Sequence, residues 1–394
     1  MSQPLSSDAV QPGNSVKRLR IAVLNRAFST TGGGAERYSV ALVEQLAARH
    51  EIHVFAQKID HSWPGVHYHQ VSGPLLKPRW VNQLWFAFCT WRLTRSGFDV
   101  VHSHENTWHG NVQTVHVLPV KYNLFKRHRG WRLLANWVKA GTSPRLWVYL
   151  GLEYFRFSVR SKKQLVVTSD SLRTMVEATY PASSAMVTVI TPGITQPQYQ
   201  ATPSRKVAAR RLLGLPVNGQ CILFVANDFR KKGLEALLAA LAQCPANFML
   251  AVVGNTAQQS VFAEQVKNLN LGKQVFFIGI LKDMAPAYQA ADCLAHPTLE
   301  DTFAMVVLEA MSHGLPVIVS GPKYCGVAGL LQHGISAWIV DDPKNPVLLH
   351  EALHAVLTHF GVKERLGKCG KEFAVGFQWT NLALLQELTY FAAS

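Results

Sequence analysis

"CILFVANDFRKKGLEALLAALAQC", residues 221–244, opens with an apolar run and closes with apolar residues at helical spacing. A basic turn ending in Gly233 joins the two halves. A short apolar run without polar alternation reads as a strand covered on both faces, the situation in parallel sheets. Downstream, "FMLAVVGN" (248–255), "QVFFIGI" (274–280), "DCLAHPT" (292–298) and "LPVIVSG" (315–321) repeat the pattern with helices between, and "ISAWIVDD" (335–342) reads as a last short strand. Upstream the same rhythm runs through "LRIAVLN" (19–25), "EIHVFAQ" (51–57), "FDVVHSH" (98–104), "QTVHVLP" (113–119), "QLVVTSDS" (164–171) and "MVTVITPGI" (186–194). Strands alternating with helices predict two doubly wound α/β domains in tandem. The boundary falls in the Pro-, Gln- and Thr-rich "PGITQPQYQATPSRK" (192–206). This divides the chain into a flexible tail (1–18), a first domain (19–197), a second domain (198–375) and a C-terminal helix (376–394) that crosses back to the first. Helices are predicted over 346–360 and 363–393. Ligands of such sheets sit at the carboxyl ends of the strands, so a cleft between the domains collects both sets of loops.

The totals agree with two domains of ordinary size in 394 residues. Six scattered cysteines, without a C-x-x-C pair or paired-histidine spacing, predict a reducing compartment and no structural zinc. The N-terminal stretch is polar, and no run reaches the roughly 18 apolar residues of a spanning helix. The expected location is the cytoplasm. Charge is uneven: residues 1–195 hold 23 Lys/Arg against 10 Asp/Glu, net +13, and residues 196–394 hold 16 against 14, net +2. A basic half implies a polyanionic partner.

Four stretches carry chemistry. In "LEDTFAMVVLEAMSHGLPV" (299–317), Asp301 or Thr302 can cap the following helix and leave the amides of residues 302–305 facing the cleft, a ready anion site. Glu309 stands in an otherwise apolar run of that helix, and a buried carboxylate needs a partner. In "ANDFRKKG", Arg230, Lys231 and Lys232 precede Gly233 at a strand-to-helix turn, which suits a pyrophosphate as well as a solvated charge run. The run in "STTGGGAERY" (29–38) permits close backbone approach, yet has neither the dinucleotide nor the P-loop spacing. Among His102, His104, His109 and His116, none with metal-ligand spacing, His116 at a strand end is best placed to meet a ligand.

Taken together, "GGGAERY", "FDVVHSHE", "TVHVLP", "VVTSDSLR", "VTVITPGI", "FRKKG" and "AYQAADCLAHPTLEDTFAMVVLEAMSHGLPVI" resemble the GT-B glycosyltransferases of family 4, retaining enzymes that use nucleotide sugars. The "DFRKKG" and "YCG" details resemble that family's lipopolysaccharide-core glucosyltransferases. The resemblance implies a GT-B fold, a nucleotide diphosphate sugar donor (UDP-glucose or similar) and no cofactor or metal. It further implies that Glu309 holds the ribose hydroxyls and that Asp301, in place of the family's glutamate, meets the donor sugar. Lys231 and Lys232, with the amides of Phe303, Ala304 and Met305 beside Thr302, would neutralise the departing diphosphate. Gly33 and Gly34 would let the first domain approach the phosphates, and His116 would sit near sugar and acceptor. Asp301, Lys232 and His116 are thus the expected catalytic residues.

Residues 75–165 hold seven of the ten tryptophans and fifteen Lys/Arg against three acids. Lys126, Arg127, Arg129, Trp131, Arg132 and Trp137 mix charge and aromatic rings as interfacial segments do. Without a nucleic-acid motif beside them, they point to an anionic membrane surface and a lipid-linked or phosphorylated glycan acceptor. The expected protein is a peripheral hexosyltransferase of the inner membrane face. Capsule or exopolysaccharide transferases of the same family, and a non-catalytic sugar-nucleotide binder, are the alternatives.

Overall fold

The computed structural model describes residues 17–73, 77–199 and 202–394. Most of the tail expected over 1–18, and two residues of the interdomain segment, therefore lie outside the described residues. The first sheet has seven parallel strands in the spatial order Val66–Gln70, Glu51–Ala56, Arg20–Leu24, Val100–Ser103, Val112–Val115, Gln164–Val167, Val187–Val189. The second has six, in the order Val275–Gly279, Phe248–Gly254, Gln220–Ala226, Cys293–His296, Val317–Ser320, Trp338–Val340. Both are doubly wound sheets in which chain order reverses beside the first strand. The switch points lie between Arg20–Leu24 and Val100–Ser103, and between Gln220–Ala226 and Cys293–His296.

The apolar runs form these central strands because both faces are covered: Ile21, Leu24, Ile222, Leu223, Phe224 and Leu250 are wholly buried. One strand of the seven-stranded sheet departs from the sequence reading, apart from a small separate pair, Ala27–Phe28 with Lys58–Ile59. "VHYHQ" (66–70) pairs with Glu51–Ala56 as the outermost strand, although only Val66 and Tyr68 give it apolar character. An edge strand exposes one flank and half its side chains, so the apolar run that betrays a central strand is missing.

The C-terminal region holds three helices where two were expected: Pro346–Thr358, Phe360–Val375 and Trp379–Ala393. The break before the last comes where Gln378 turns extended and bridges Ile194, whose amide donates to the Phe377 carbonyl at 2.7 Å. Gly193 beside it must be glycine, since a Cβ there would come within 2.7 Å of the Trp379 ring. Trp379, Leu382, Ala383, Tyr390 and Ala393 join the core beneath the first sheet with Leu19, Ile21 and Tyr38. Buried Glu387 pairs with Arg49 at 3.0 Å and His50 at 2.8 Å. Tyr390 Oη lies 2.7 Å from Nδ1 of buried His102, whose Nε2 meets Thr114 Oγ1 at the same distance.

Because a buried nitrogen left without a partner costs about 1–3 kcal/mol, Tyr390→Phe should lower the urea midpoint by a corresponding amount. An unchanged midpoint would show that the Tyr390–His102 hydrogen bond adds nothing to stability.

Candidate active site

The site is built at the second sheet's switch point. Two turns leave neighbouring strands there, one carrying Lys231 and Lys232 and the other Thr298 to Thr302, and backbone contacts knit them together. Leu299 N donates to the Lys231 carbonyl at 2.8 Å. Gly233 closes the first turn at φ +81°, where a Cβ would stand 2.0 Å from the Pro297 carbonyl oxygen. No larger residue fits that passage.

Lys232 Nζ donates to Asp301 Oδ2 at 2.6 Å and to the Glu300 carbonyl at 3.0 Å. His296 Nε2 lies 3.2 Å from the same carboxylate oxygen, and Phe303 N donates to Oδ1 at 3.2 Å. Buried His296 has no partner at Nδ1 among the described residues, so the proton belongs on Nε2, facing Asp301. Burial alone would raise the Asp301 pKa, but the His296 N–H and the Lys232 ammonium hold it well below the usual carboxylate range. Asp301 is therefore an anion that has already spent most of its acceptor capacity. Lys231, by contrast, extends into solvent, with only a 3.9 Å approach to Glu300.

The helix that follows begins later than expected, at Met305, and its N-cap is Ala304 rather than Asp301 or Thr302. Ala304 sits at φ +76°, a left-handed conformation that costs a non-glycine residue about 1–3 kcal/mol. The turn is fixed by bonds from Gly326 N to the Asp301 carbonyl and from Val327 N to the Phe303 carbonyl, each 3.0 Å. Asp301 is consumed within the turn, and an alanine cap offers no acceptor. The Met305 and Val306 amides thus have no partner within the helix, the condition of an anion site, while Val307 N donates to the Ala304 carbonyl at 3.0 Å.

Glu309 lies one turn further on and holds partners that the sequence reading missed. Tyr288 Oη donates to Oε2 at 2.6 Å, and the Arg37 guanidinium pairs with Oε1 across the cleft. Glu309 raises the Arg37 pKa further, so that pair is ionic. Burial first, then the Glu309 charge, drives the Tyr288 pKa well above its ordinary value, so it remains a donor. Arg37 stands in the quoted "GGGAERY", where the glycines drew the attention; only a question about the charge facing Glu309 could have singled it out.

Gly33 is the N-cap of the helix Gly34–Leu46. A Cβ on Gly34 would stand 3.9 Å from Met305 Sδ, and one on Gly33 4.0 Å from Asn227 Nδ2, so this loop does face the second domain's site. The His116 carbonyl accepts from Thr302 Oγ1 at 2.9 Å, also across the cleft. Its ring turns back into the first domain, 3.0 Å from His104 Nδ1 and edge-on to Tyr38. Burial, aided by the Arg156 charge, lowers the His116 pKa to about 3, so the ring is neutral.

The basic surface is a separate feature at the cleft's rim. Trp131, Leu134, Trp137 and Val138 of the helix Trp131–Thr142 are all exposed, as are Trp147 and Tyr154 of the helix Pro144–Phe157. Lys126, Arg129 and Arg132 are exposed among them, and the Arg132 guanidinium lies 5.6 Å from the Trp131 ring centroid. Arg127 differs from the rest, because it pairs with Glu300 of the second domain at 2.6 Å. No described helix is long and apolar enough to cross a membrane.

Comparison with known proteins places this architecture. Residues 32–196 match the family model described as Glycosyltransferase Family 4, and residues 207–373 match that described as Glycosyl transferases group 1. These are the two halves of one protein class, and the chain belongs to the GT-B glycosyltransferases of family 4. The lipopolysaccharide glucosyltransferase WaaG of Escherichia coli (strain K12) is 24% identical over 232 residues, 57% of this chain and 61% of that protein. The chain spans about half the length of the curated relatives it matches: 57%, 52%, 54% and 61% in four of them. A crystal structure of WaaG, a glycosyltransferase involved in lipopolysaccharide biosynthesis, superposes with a TM-score of 0.82 at 21% identity, covering 95% of this chain and 100% of that one. Anabaena Alr3699/HepE in complex with UDP and glucose superposes at 0.72 and 19% identity, covering 94% and 99%.

The buried histidines set an acid limit on stability. His102, like His116, is held near a pKa of about 3, chiefly by burial, whereas an unfolded histidine titrates near 6.5. On acidification the unfolded chain takes up these protons first, so stability present above about pH 6.5 is lost as pH falls towards 3. Urea midpoints at pH 7 and pH 4.5 should show this fall. His102→Asn, which cannot take up the proton, should show a smaller difference between the two.

Proposed function

We propose that this protein transfers a hexose from a UDP-hexose, with retention and without a metal, to a lipid-linked or cell-envelope glycan at an anionic membrane surface. The observation that carries the reading is the grouping of Lys232, the Met305 helix start and Glu309 at one switch point, opposite Gly33 and Gly34. The UDP and glucose held by HepE, and the part WaaG plays in lipopolysaccharide biosynthesis, support the donor and acceptor classes.

In this mechanism Glu309 exchanges the Arg37 guanidinium for the ribose hydroxyls, satisfying a half-buried carboxylate either way. Arg37, thus released, lies beside the glycine loop and adds its charge to the diphosphate. The bond from the sugar's anomeric carbon to the phosphate oxygen breaks with both electrons going to the diphosphate. The Lys232 ammonium and the first-turn amides stabilise the charge that develops there. The acceptor hydroxyl attacks from the same face and passes its proton to the leaving phosphate oxygen. Asp301, fixed by Lys232 and His296, orients the sugar through its remaining acceptor capacity. His116 acts through its position and its carbonyl, since its neutral ring is turned inward.

Glu309→Ala should weaken UDP binding by about 1.5–3 kcal/mol, because hydrogen bonds to a charged acceptor are lost. Calorimetry on the folded variant measures this, and unchanged affinity would make Glu309 a purely structural residue. Lys232→Ala, assayed in EDTA with the donor, should lower kcat more than it raises KM. An effect on KM alone would contradict the leaving-group role, and loss of wild-type activity in EDTA would contradict metal independence.

Membrane binding has its own test. Charge reversal at Lys126, Arg129 and Arg132 should abolish co-sedimentation with anionic vesicles and leave UDP affinity unchanged, each basic residue contributing about 1 kcal/mol. Equal binding of the wild type to neutral and anionic vesicles, or to neither, would overturn this part of the reading.

A further inference from the structure

The edge strand Val66–Gln70 brings an unexpected set of side chains together. His53 lies opposite His67 in the strand pairing, and Phe55 opposite His69. Residues two apart on a strand share a face, so Glu51, His53, His67 and His69 rise from the same side of the sheet. The His53 and His67 rings stack at 4.6 Å. His53 Nε2 lies 2.8 Å from Glu51 Oε1, and His53 Nδ1 lies 2.9 Å from His69 Nε2. One ligand atom from each of Glu51, His53 and His67 falls within 4.8 Å of the others.

We propose that Glu51, His53 and His67 bind a divalent transition-metal ion of the zinc type, with His69 orienting His53 from behind. Two imidazoles and a carboxylate match the donor preference of such ions, and three protein ligands leave a position open to water. A ligating histidine characteristically gives its other ring N–H to an acceptor, which fixes its tautomer. His69 Nε2 is that acceptor for His53 Nδ1. With the proton on Nε2, His53 donates to Glu51 directly; with the proton on Nδ1, the Nε2 lone pair faces the carboxylate, and a cation between the two satisfies both.

Arg20 supplies that cation in this structure. Its Nε lies 3.0 Å from Glu51 Oε1 and 3.4 Å from His53 Nε2, and Nη1 donates to the Gly97 carbonyl at 3.2 Å. The Arg20 side chain is half exposed, so it can swing into solvent. Arg20 is thus a built-in competitor for the metal. Glu51 opens its strand and His67 is the second residue of the next, so the cluster sits towards the amino ends of parallel strands. The cleft opens at their carboxyl ends, and the metal site is therefore separate from the sugar-transfer site. The sequence, searched for cysteine pairs and helical histidine spacings, hides it because its ligands come from two strands.

Isothermal titration of the full, tag-free chain with ZnCl2, and Co(II) absorption as a geometric readout, test the proposal. One equivalent should bind. Glu51→Gln and His67→Ala should each weaken binding at least about tenfold, and His69→Ala by about 10–100-fold as an outer-shell change. Arg20→Met should tighten it, because the competing guanidinium is gone. Arg20 and His67 are surface side chains, and circular dichroism checks that each variant folds. Absence of binding, or binding indifferent to both Glu51→Gln and Arg20→Met, would overturn the assignment; the latter result would leave the ion to scattered surface histidines.

Discussion

The Asp301 carboxylate sits between an ammonium and an imidazole, and the shape of the site follows from that one arrangement. Lys232 can reach it only because Gly233 lets its turn pass against Pro297. The carboxylate in turn takes the Phe303 amide, and the Asp301 carbonyl takes the Gly326 amide, which fixes the left-handed residue Ala304 in front of the helix. The strain at Ala304 is tolerable because these bonds leave the chain no cheaper course. Its result is a helix start at Met305 whose first two amides have no partner within the helix. A buried ion pair rarely adds much net stability. Here its value lies in geometry, since it determines where the neighbouring donors stand.

The two sheets share one strand order, and each has its switch point where a ligand can reach the carboxyl ends of strands. The C-terminal helix makes the two points face each other. It leaves the second domain at Gln378 and buries Trp379, Leu382 and Tyr390 under the first sheet, so the domains are tied behind the cleft as well as across it. Across the front, Met305 packs against the first domain's core and three polar pairs stand beside it: Arg37 with Glu309, Thr302 with the His116 carbonyl, and Arg127 with Glu300. Apolar burial at the back holds whatever the front does. Polar pairs in front can exchange partners with a ligand at little net cost, since each partner is satisfied in either state.

What was legible in the sequence divides along the same line. Central strands were readable because burial on both faces forces an unbroken apolar run, as at Cys221 to Ala226. The edge strand Val66–Gln70 was not, since a half-exposed strand carries no such run. Glu309 could be singled out because a charge in an apolar run demands an explanation, Lys232 because a basic run precedes Gly233, and Asp301 as a candidate helix cap. Their partners Arg37, Tyr288 and His296 lie far off in the chain or look like ordinary surface or core residues. The helix cap was misplaced for a local reason: Asp301 has a good capping side chain, but tertiary bonds to Lys232 and His296 claim it first. Propensity ranks what a residue can do, and packing decides what it does.

The uneven charge of the two halves now has a structural meaning. In the second domain, cations at the core are matched: Asp292 alone takes Lys206, Arg210 and Lys363, and Asp301 takes Lys232. The first domain's surplus is concentrated where Lys126, Arg129 and Arg132 stand among exposed Trp131, Trp137 and Trp147. A solvated basic face has no use for tryptophan, and an apolar docking face has no use for so many cations. Cations interleaved with exposed rings are the pattern that the anionic membrane surface proposed above would engage. Arg127 stands on this same surface and pairs with Glu300, next to Asp301. A partner engaging the basic face would therefore lie within one residue of the candidate catalytic turn.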